Sequence, residues 1–442
     1  MLGILRHRTM REGLWVAMGQ LLTAIAGLVS IRVMTELLPV DEYGRFTLLV
    51  GVSALVLGLV ATPKLQAVLR FYSDAKTQGR ITSLRNVAKR QIGQQVAIAA
   101  VLLTIVGALV AIFTKQLWFT GALIAFLLIV EAARSFELML LNAARRQRSA
   151  ALVQAADAWI KPIFAICMVL LLGATSEAAL CGSIIGGVLV VVLMYKAVMV
   201  EGLGIGSESD ATTDRISKIQ LAEIGQSIRR YALPLAPLAV FGWFSGMGDR
   251  YVIAGMLSMS DVGLYAAAYG LASRPFLMLS GIIEQTLRPV LHEAVASGDR
   301  RSINSAKRKM VLMMTAGAVL GVICFMVLSD LAVKIFMAHS YHAAADLMPW
   351  IAFGYAFLSI SSMYSRICYA FDATGSILKL TVASGLTGVL VLVPAAMIYG
   401  LRGAVVAVPI RFAVELILSY VFSSRAEENY FSKIADGSAV VP

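Results

Sequence analysis

Charged residues are scarce in this sequence. They make up 14% of its 442 residues, whereas hydrophobic residues make up 59% and the mean hydropathy is +0.80. Soluble domains contain roughly a quarter charged residues and about half apolar residues. The composition therefore excludes a soluble enzyme or a soluble nucleic-acid-binding domain, and it indicates a chain that lies almost entirely in a membrane.

Cysteine and nucleotide-binding motifs are also lacking. The four cysteines lie in apolar runs without any CxxC spacing, at Cys167, Cys181, Cys324 and Cys368. This pattern predicts neither a disulfide scaffold nor a zinc site built from cysteine. The sequence contains no GxxxxGK[ST] motif, so it has no P-loop to hold nucleotide phosphates and is not an ATP-driven pump by itself. No cofactor is expected.

Large outer loops are missing as well. The longest predicted extracytoplasmic loop, at about 330–346, contains His339, His342 and Asp346. Three ligands at this spacing in an exposed loop are weak evidence for a metal, so we expect a solvated loop and no metal site. A membrane polymerase that joins glycans would need a larger outer loop to hold its acceptor, so we do not expect an enzyme.

Long apolar runs, by contrast, recur along the whole chain. They fall at about 13–38, 45–73, 88–112, 117–142, 150–172, 178–200, 229–257, 263–291, 309–329, 347–372, 376–399 and 402–424. About 20 apolar residues suffice to cross the hydrocarbon core as a helix. The sequence therefore predicts an all-α polytopic membrane protein with twelve transmembrane helices.

The basic residues between these runs predict the orientation. Twenty-two Lys and Arg residues fall on one side, and four fall on the other, Arg45, Lys115, Lys334 and Arg402. Cytoplasmic connections carry the excess of Lys and Arg in membrane proteins. With an even number of spans, this bias predicts that both termini are cytoplasmic.

The longest connection divides the predicted spans into two sets of six. A Gly- and Ser-rich stretch within 201–228 is typical of a flexible linker. We therefore expect a six-helix lobe at 1–200, a cytoplasmic linker at 201–228, a second six-helix lobe at 229–424 and a cytoplasmic tail at 425–442.

The two predicted lobes resemble each other in sequence. LLPVDEYGRF (37–46) aligns with MLSMSDVGLY (256–265), which places Glu42 on Asp261 and Gly44 on Gly263. Six spans per repeat make the repeat parallel. Repeats of this kind in transporters form two pseudo-symmetric bundles around a central cavity, which holds the substrate.

Ionisable residues inside the predicted spans are the candidate functional residues. Each costs about 2.5–3.5 kcal/mol or more to insert, so it needs either a partner or a function. Several have a partner one turn away on the same helix, namely Arg32 with Glu36, Asp157 with Lys161, Glu284 with Arg288, Arg411 with Glu415, and the series Glu131, Arg134 and Glu137. Mutual neutralisation is the simpler role for these residues.

Three basic residues have no carboxylate at helical spacing on their own helix, Lys64, Arg274 and Arg366. We expect them to be unneutralised and to line a cavity that attracts an anion. A guanidinium fork suits a phosphate because it donates two parallel hydrogen bonds. The alternative is that such long side chains reach the membrane interface instead. Asp249 and Arg250 are sequence neighbours that point about 100° apart on a helix.

Three segments resemble a known transporter family, LVSIRVMTELLPVDEYGRFTLL (28–49), QAVLRFYSDA (66–75) and LNAARRQRSAAL (141–152). They are similar to the polysaccharide or O-antigen (Wzx-like) flippases of the multidrug/oligosaccharidyl-lipid/polysaccharide (MOP) exporter superfamily. The resemblance implies a flippase of the bacterial inner membrane that moves an undecaprenyl-pyrophosphate-linked oligosaccharide to the periplasmic leaflet through a cationic cavity, by alternating access. It also implies membrane lipid, H⁺ or Na⁺, and polysaccharide polymerase machinery as partners, and no nucleic acid.

The resemblance assigns roles to the intramembrane charges. The candidate substrate-binding residues are Arg32, Lys64, Arg134, Arg250, Arg274 and Arg366, and the candidate ion-coupling residues are Glu131, Asp249 and Asp372. A cation-coupled multidrug antiporter of the same superfamily is the main alternative, and it would need acidic and aromatic cavity residues. A membrane glycan polymerase is a third. The related lipid II flippases usually carry fourteen spans, which favours the polysaccharide branch for a chain with twelve.

Overall fold

A computed structural model describes residues 2–114, 119–202, 218–371 and 373–435. Within these ranges the chain forms thirteen α-helices and no strand. The helices are α1 (Leu2–Leu37), α2 (Val40–Val60), α3 (Thr62–Thr77), α4 (Ile81–Thr114), α5 (Thr120–Ala143), α6 (Gln147–Leu172), α7 (Ser176–Val200), α8 (Lys218–Ala232), α9 (Ala236–Met256), α10 (Met259–Ser297), α11 (Arg300–Phe336), α12 (Met348–Ala370) and α13 (Thr374–Ala435).

The predicted all-α polytopic membrane fold is confirmed. The described residues of the apolar runs are helical, although the run at 229–257 is divided among the end of α8, a short 3₁₀ helix at Leu233–Leu235 and α9. Eight of the described helices are long and apolar enough to cross a membrane by length and composition. The helix α5 is not among these eight, and it carries three charged residues, Glu131, Arg134 and Glu137. Its place in a membrane therefore depends on how those charges are neutralised.

Two predicted runs share the long helix α13, and the run at 45–73 is also divided. Gly400 has φ 59° and ψ −142°, a conformation that glycine adopts without a Cβ clash, and it separates the runs at 376–399 and 402–424 by a kink. The run at 45–73 breaks at Ala61 into α2 and α3, and Pro63 lies in the first turn of α3. Proline is tolerated there because its missing N–H has no helical partner.

The predicted linker contains a helix. Residues 218–228 belong to α8, while 203–217 lie outside the described residues. The apolar face of α8 packs against α3 and α4, where Ile228 is fully buried. Gln91 of α4 also donates a hydrogen bond of 3.0 Å to the carbonyl oxygen of Gly225. This segment is thus docked on the N-terminal helices from Lys218 onward.

The chain divides into two compact units, Met1–Trp243 and Phe244–Pro442. In the N-terminal unit, α5 packs on both α4 and α7, and α6 packs on α1 and α7. Gly182 sets the distance between α6 and α7, because a Cβ at this position would overlap the carbonyl oxygen of Phe164. Small residues allow this close helix packing in membranes. In the C-terminal unit, α12 packs on α10, α11 and α13.

Candidate functional site

Four charged side chains of the N-terminal unit form a closed ring between α5 and α6, which we call the α5–α6 ring. Glu131 pairs with Lys161 and with Arg134, the latter at 2.8 Å. Asp157 pairs with Arg134 at 3.2 Å and with Lys161 at 2.9 Å. Two acids and two bases thus neutralise one another, and all four side chains are largely buried.

Glu137 belongs to a different pair from the one predicted. The i,i+3 series placed it beside Arg134, but Arg134 points to α6, and Glu137 instead lies 3.4 Å from the buried guanidinium of Arg85 on α4. The prediction is wrong here because helix rotation, which sequence spacing does not encode, turns Glu137 towards α4. The ion pair is 3% and 6% exposed, so it is a fully internal contact.

Lys64 lies on α3 and is buried. Its ammonium group donates to the side-chain oxygen of Gln95 on α4 and to the carbonyl oxygen of Val60, the latter at 3.4 Å. Among the described residues it forms no ion pair. This agrees with the expectation that Lys64 is not neutralised by a carboxylate, and it leaves a positive charge inside the N-terminal unit.

Asp249 and Arg250 of α9 are both buried in the C-terminal unit. Asp249 accepts a hydrogen bond from the hydroxyl of Tyr265, and it lies 3.8 Å from the guanidinium of Arg250. That guanidinium stacks over the ring of Tyr269 at 4.6 Å from the centroid, and Tyr269 in turn contacts Tyr355. A carboxylate and an aromatic face therefore share the compensation of this arginine.

A small cavity of about 20 Å³ lies beside Asp249, between α9 and α13. Arg411 lines its other side and donates to the carbonyl oxygen of Ser245 at 2.6 Å. The predicted ion pair between Arg411 and Glu415 is wrong, since these two described residues form none, and Glu415 instead accepts from Ser384. Arg411 turns towards α9 because Ser245 offers two oxygens there.

Three side chains of α10 and α12 form a second cluster in the C-terminal unit, which we call the α10–α12 triad. Glu284 lies 3.1 Å from Arg366 and 3.6 Å from Arg288. The expectation that Arg366 has no neutralising carboxylate is wrong, because its partner comes from a neighbouring helix. One acid still serves two bases, so the triad keeps a net positive charge.

The remaining candidates differ in their surroundings. Arg274 donates to the carbonyl oxygen of Gly270 at 2.9 Å, one turn back on α10. Arg32 pairs with Glu36 at 3.1 Å, and the two side chains are 41% and 58% exposed. Asp372 lies outside the described residues. The substrate-binding and ion-coupling roles of all these residues stay predictions.

Sequence reasoning missed the aromatic side of the Arg250 environment. Tyr265 and Tyr269 stand four residues apart on α10 and present one face to α9. That i,i+4 spacing of tyrosines within an apolar run was a usable signal. The contribution of Tyr355 had no comparable signal, because it comes from another helix, α12.

The comparisons with known proteins agree with this architecture. The model of the family described as polysaccharide biosynthesis protein matches residues 33–346. Among curated proteins, none matches the sequence. An inward-facing multidrug resistance MATE family transporter of the MOP superfamily has a TM-score of 0.69 and 14% identity, over 95% of this chain and 98% of that chain. The lipid II flippase MurJ, in an inward closed conformation, has a TM-score of 0.70 and 12% identity, over 97% of this chain and 93% of that chain.

A third solved structure is a MOP superfamily transporter from Pyrococcus furiosus. It has a TM-score of 0.63 and 14% identity, and the match covers 95% of each chain. Identities this low show the fold alone, which is the fold of MOP superfamily transporters and of a lipid II flippase. Because the family model matches most of its length, the chain belongs to the polysaccharide biosynthesis protein family and is a multi-pass membrane protein with the MOP fold.

Proposed function

We propose that this protein is a flippase of the bacterial inner membrane with both termini in the cytoplasm. It moves an undecaprenyl-pyrophosphate-linked oligosaccharide repeat unit from the cytoplasmic to the periplasmic leaflet by alternating access. The product would serve O-antigen, capsule or exopolysaccharide synthesis, and polysaccharide polymerase machinery would receive it. The polysaccharide biosynthesis family and the fold shared with a lipid II flippase support the proposal.

The α10–α12 triad is the observation that carries the proposal. Its two guanidinium groups share one carboxylate, and the side chains of Arg366 and Arg288 are 35% and 58% exposed. Both therefore have donors left for a ligand. A pyrophosphate supplies the negative charge that the triad lacks, and it accepts bidentate hydrogen bonds from the guanidinium forks. A small cationic drug would be repelled by the same charge.

The predicted topology places the triad near the cytoplasmic leaflet, from which the proposed substrate is moved. The predicted orientation places the C-terminal ends of α10 and α12 on the cytoplasmic side, and Arg366 lies four residues before the last residue of α12, Ala370. A phosphate at the cytoplasmic membrane interface is within reach of such a position. The polar glycan needs a shielded path because its transfer into hydrocarbon is costly, whereas the lipid tail remains in the bilayer.

The other candidate cations divide according to their partners. Lys64 is proposed to bind the substrate, since the contacts described for it are to neutral oxygens. Arg274 is proposed to bind the substrate because it lies on α10, the helix that carries two members of the triad. Arg32, Arg134 and Arg250 have carboxylate partners and are proposed to contribute less. Their own acids compete with any anionic ligand.

Asp249 is proposed to couple transport to H⁺ or Na⁺. It is buried, it lies at a cavity, and it compensates Arg250. Neutralising this carboxylate would leave a buried arginine without its counter-charge, which favours a different packing of α9. Transport by Asp249→Asn that still follows the ion gradient would remove Asp249 from this role. Glu131 is a weaker candidate because two bases already hold it.

Deletion of the protein tests the proposed function. Lipid-linked repeat units should accumulate on the cytoplasmic leaflet, detected by mass after extraction and by their inaccessibility to periplasmic labelling. Unchanged surface glycan together with heightened sensitivity to cationic drugs would contradict the proposal and would instead identify a multidrug antiporter.

A further inference from the structure

An apolar groove runs along the N-terminal unit and is lined by three of its helices. It offers about 460 Å³ of space between α4, α5 and α7. Ala132 and Ala133 of α5 form its floor, Gly93 and Ala97 of α4 form one wall, and Val192 of α7 lies in the other. Small side chains thus leave the space that larger ones would fill.

The groove opens outward from the protein. A Cβ on Gly93 would have no heavy atom within 4 Å, so this glycine does not serve helix packing. The lining residues Ile129 and Val192 are 43% and 45% exposed. Beyond the groove, α4 continues with exposed Ile98 and Val101. In a multi-pass membrane protein, such an apolar exposed surface faces lipid chains.

Polar residues occur at one end of the groove, where Lys89, Glu137 and Tyr195 lie. Glu137 is already paired with the buried Arg85. Lys89 is exposed, and it forms no ion pair within the described part of the chain. This end therefore holds two bases, Arg85 and Lys89, near the one carboxylate of Glu137. The excess positive charge complements an anionic head group.

The charged end and the apolar part have the geometry of a lipid site. Ala97 follows Lys89 by eight residues on α4, which corresponds to about 12 Å along the helix. The predicted orientation places Lys89 at the cytoplasmic end of α4 and Ala97 deeper in the membrane. A lipid phosphate at the interface and its chain in the hydrocarbon would be separated in the same direction.

We propose that this groove binds the isoprenoid chain of the lipid-linked substrate, with the first phosphate next to Lys89. The inference rests on the proposed function and extends it, because it assigns a protein surface to the part of the substrate that does not cross the membrane. Holding the tail on the N-terminal unit would keep the head group at the cytoplasmic interface before it is transported.

Native mass spectrometry of the purified protein with added undecaprenyl phosphate tests the groove. Ala97→Trp fills the groove and should lower the apparent affinity at least about tenfold. Ile98→Trp is the matched control, because it introduces the same indole ring on the neighbouring exposed residue outside the groove, and it should bind as the wild type does. Melting temperatures of both variants show whether they fold.

A second pair of variants tests the head-group end without adding bulk. Lys89→Gln should weaken undecaprenyl phosphate about tenfold, as expected when a charged donor is lost, and leave undecaprenol unchanged. Lys89→Arg should retain binding of both. Normal binding by Ala97→Trp, or equal competition by phosphatidylglycerol, would overturn the proposal.

The results also separate this inference from the proposed function. A wild-type protein that binds undecaprenyl phosphate in the groove but moves no glycan would refute the flippase and support the groove. A protein that moves glycan equally well with and without Ala97→Trp, and with unchanged binding, would refute the groove alone.

Discussion

The α5–α6 ring and the α10–α12 triad differ in the ratio of acids to bases and in the exposure of their side chains. The ring joins two acids to two bases, and its side chains are at most 20% exposed. The triad joins two bases to one acid, and its arginines are 35% and 58% exposed. Balanced, buried charge holds helices together, whereas unbalanced, accessible charge can accept a ligand. The stoichiometry of a cluster is therefore a better guide to function than the presence of a charge.

The largest effect is expected from breaking the ring. Arg134→Leu leaves Glu131 and Asp157 with Lys161 as their only base, and the loss of one partner from a buried ion pair costs about 3–5 kcal/mol. The free energy of unfolding in detergent should fall by this amount. Replacing all four ring residues together by uncharged residues of similar size should recover most of it. A single variant as stable as the wild type would show that the ring is not structural.

Substitutions in the triad should weaken substrate binding and leave the melting temperature unchanged. Arg366→Ala removes charged hydrogen bonds worth about 1.5–3 kcal/mol, which corresponds to roughly ten- to hundredfold weaker binding of the lipid-linked pyrophosphate. Arg366→Lys should be intermediate, because lysine keeps the charge and loses the fork. Binding is measured on the purified protein, together with its melting temperature. Unaltered affinity in Arg366→Ala would exclude the triad as the phosphate site.

Helix packing next to the ring should have a smaller effect. Gly182→Ala places a methyl group against the carbonyl of Phe164 and forces α7 away from α6, at a cost of about 1–3 kcal/mol. Gly281→Ala on α10 is the matched control, since its Cβ would meet no atom within 4 Å. This control should equal the wild type or gain up to about 1 kcal/mol from helix propensity. Equal melting temperatures for both variants would contradict the packing role of Gly182.

The smallest effect is expected at the exposed pair of α1. Arg32→Gln breaks an i,i+4 contact whose side chains are 41% and 58% exposed. Solvent screens such pairs, so the change in stability should not exceed about 0.5 kcal/mol. Transport should stay close to the wild-type rate. A clear loss of transport at normal expression would instead place Arg32 in the substrate path.

Ion pairs within one helix could be predicted from the sequence, and contacts between helices could not. The pairs Arg32–Glu36, Asp157–Lys161 and Glu284–Arg288 are confirmed. They follow from the 3.6-residue period alone. The partner of Arg366, by contrast, depends on how α10 and α12 rotate and approach each other. Arg411 shows the same limit, since its predicted partner stands one turn away and it turns to another helix.

The fold was predictable for a related reason. Each apolar run of about 20 residues specifies a helix by itself in a membrane, because every backbone group must be satisfied within the segment. The ends of the helices were harder to predict. For example, α11 begins at Arg300 and ends at Phe336, well beyond the apolar run at 309–329. The helix α8 was missed because it is short and lies in a polar connection, where tertiary packing on α3 and α4 stabilises it.

The most direct test of the account is translocation by the purified protein in proteoliposomes. The vesicles contain an undecaprenyl-pyrophosphate-linked oligosaccharide with a fluorophore that an impermeant reagent destroys only in the accessible leaflet. The account predicts that the wild-type protein moves labelled glycan between the leaflets, that Arg366→Ala does so far more slowly, and that Arg32→Gln is normal. Wild-type protein that leaves the glycan in its original leaflet, or Arg366→Ala that moves it at the wild-type rate, would contradict the account.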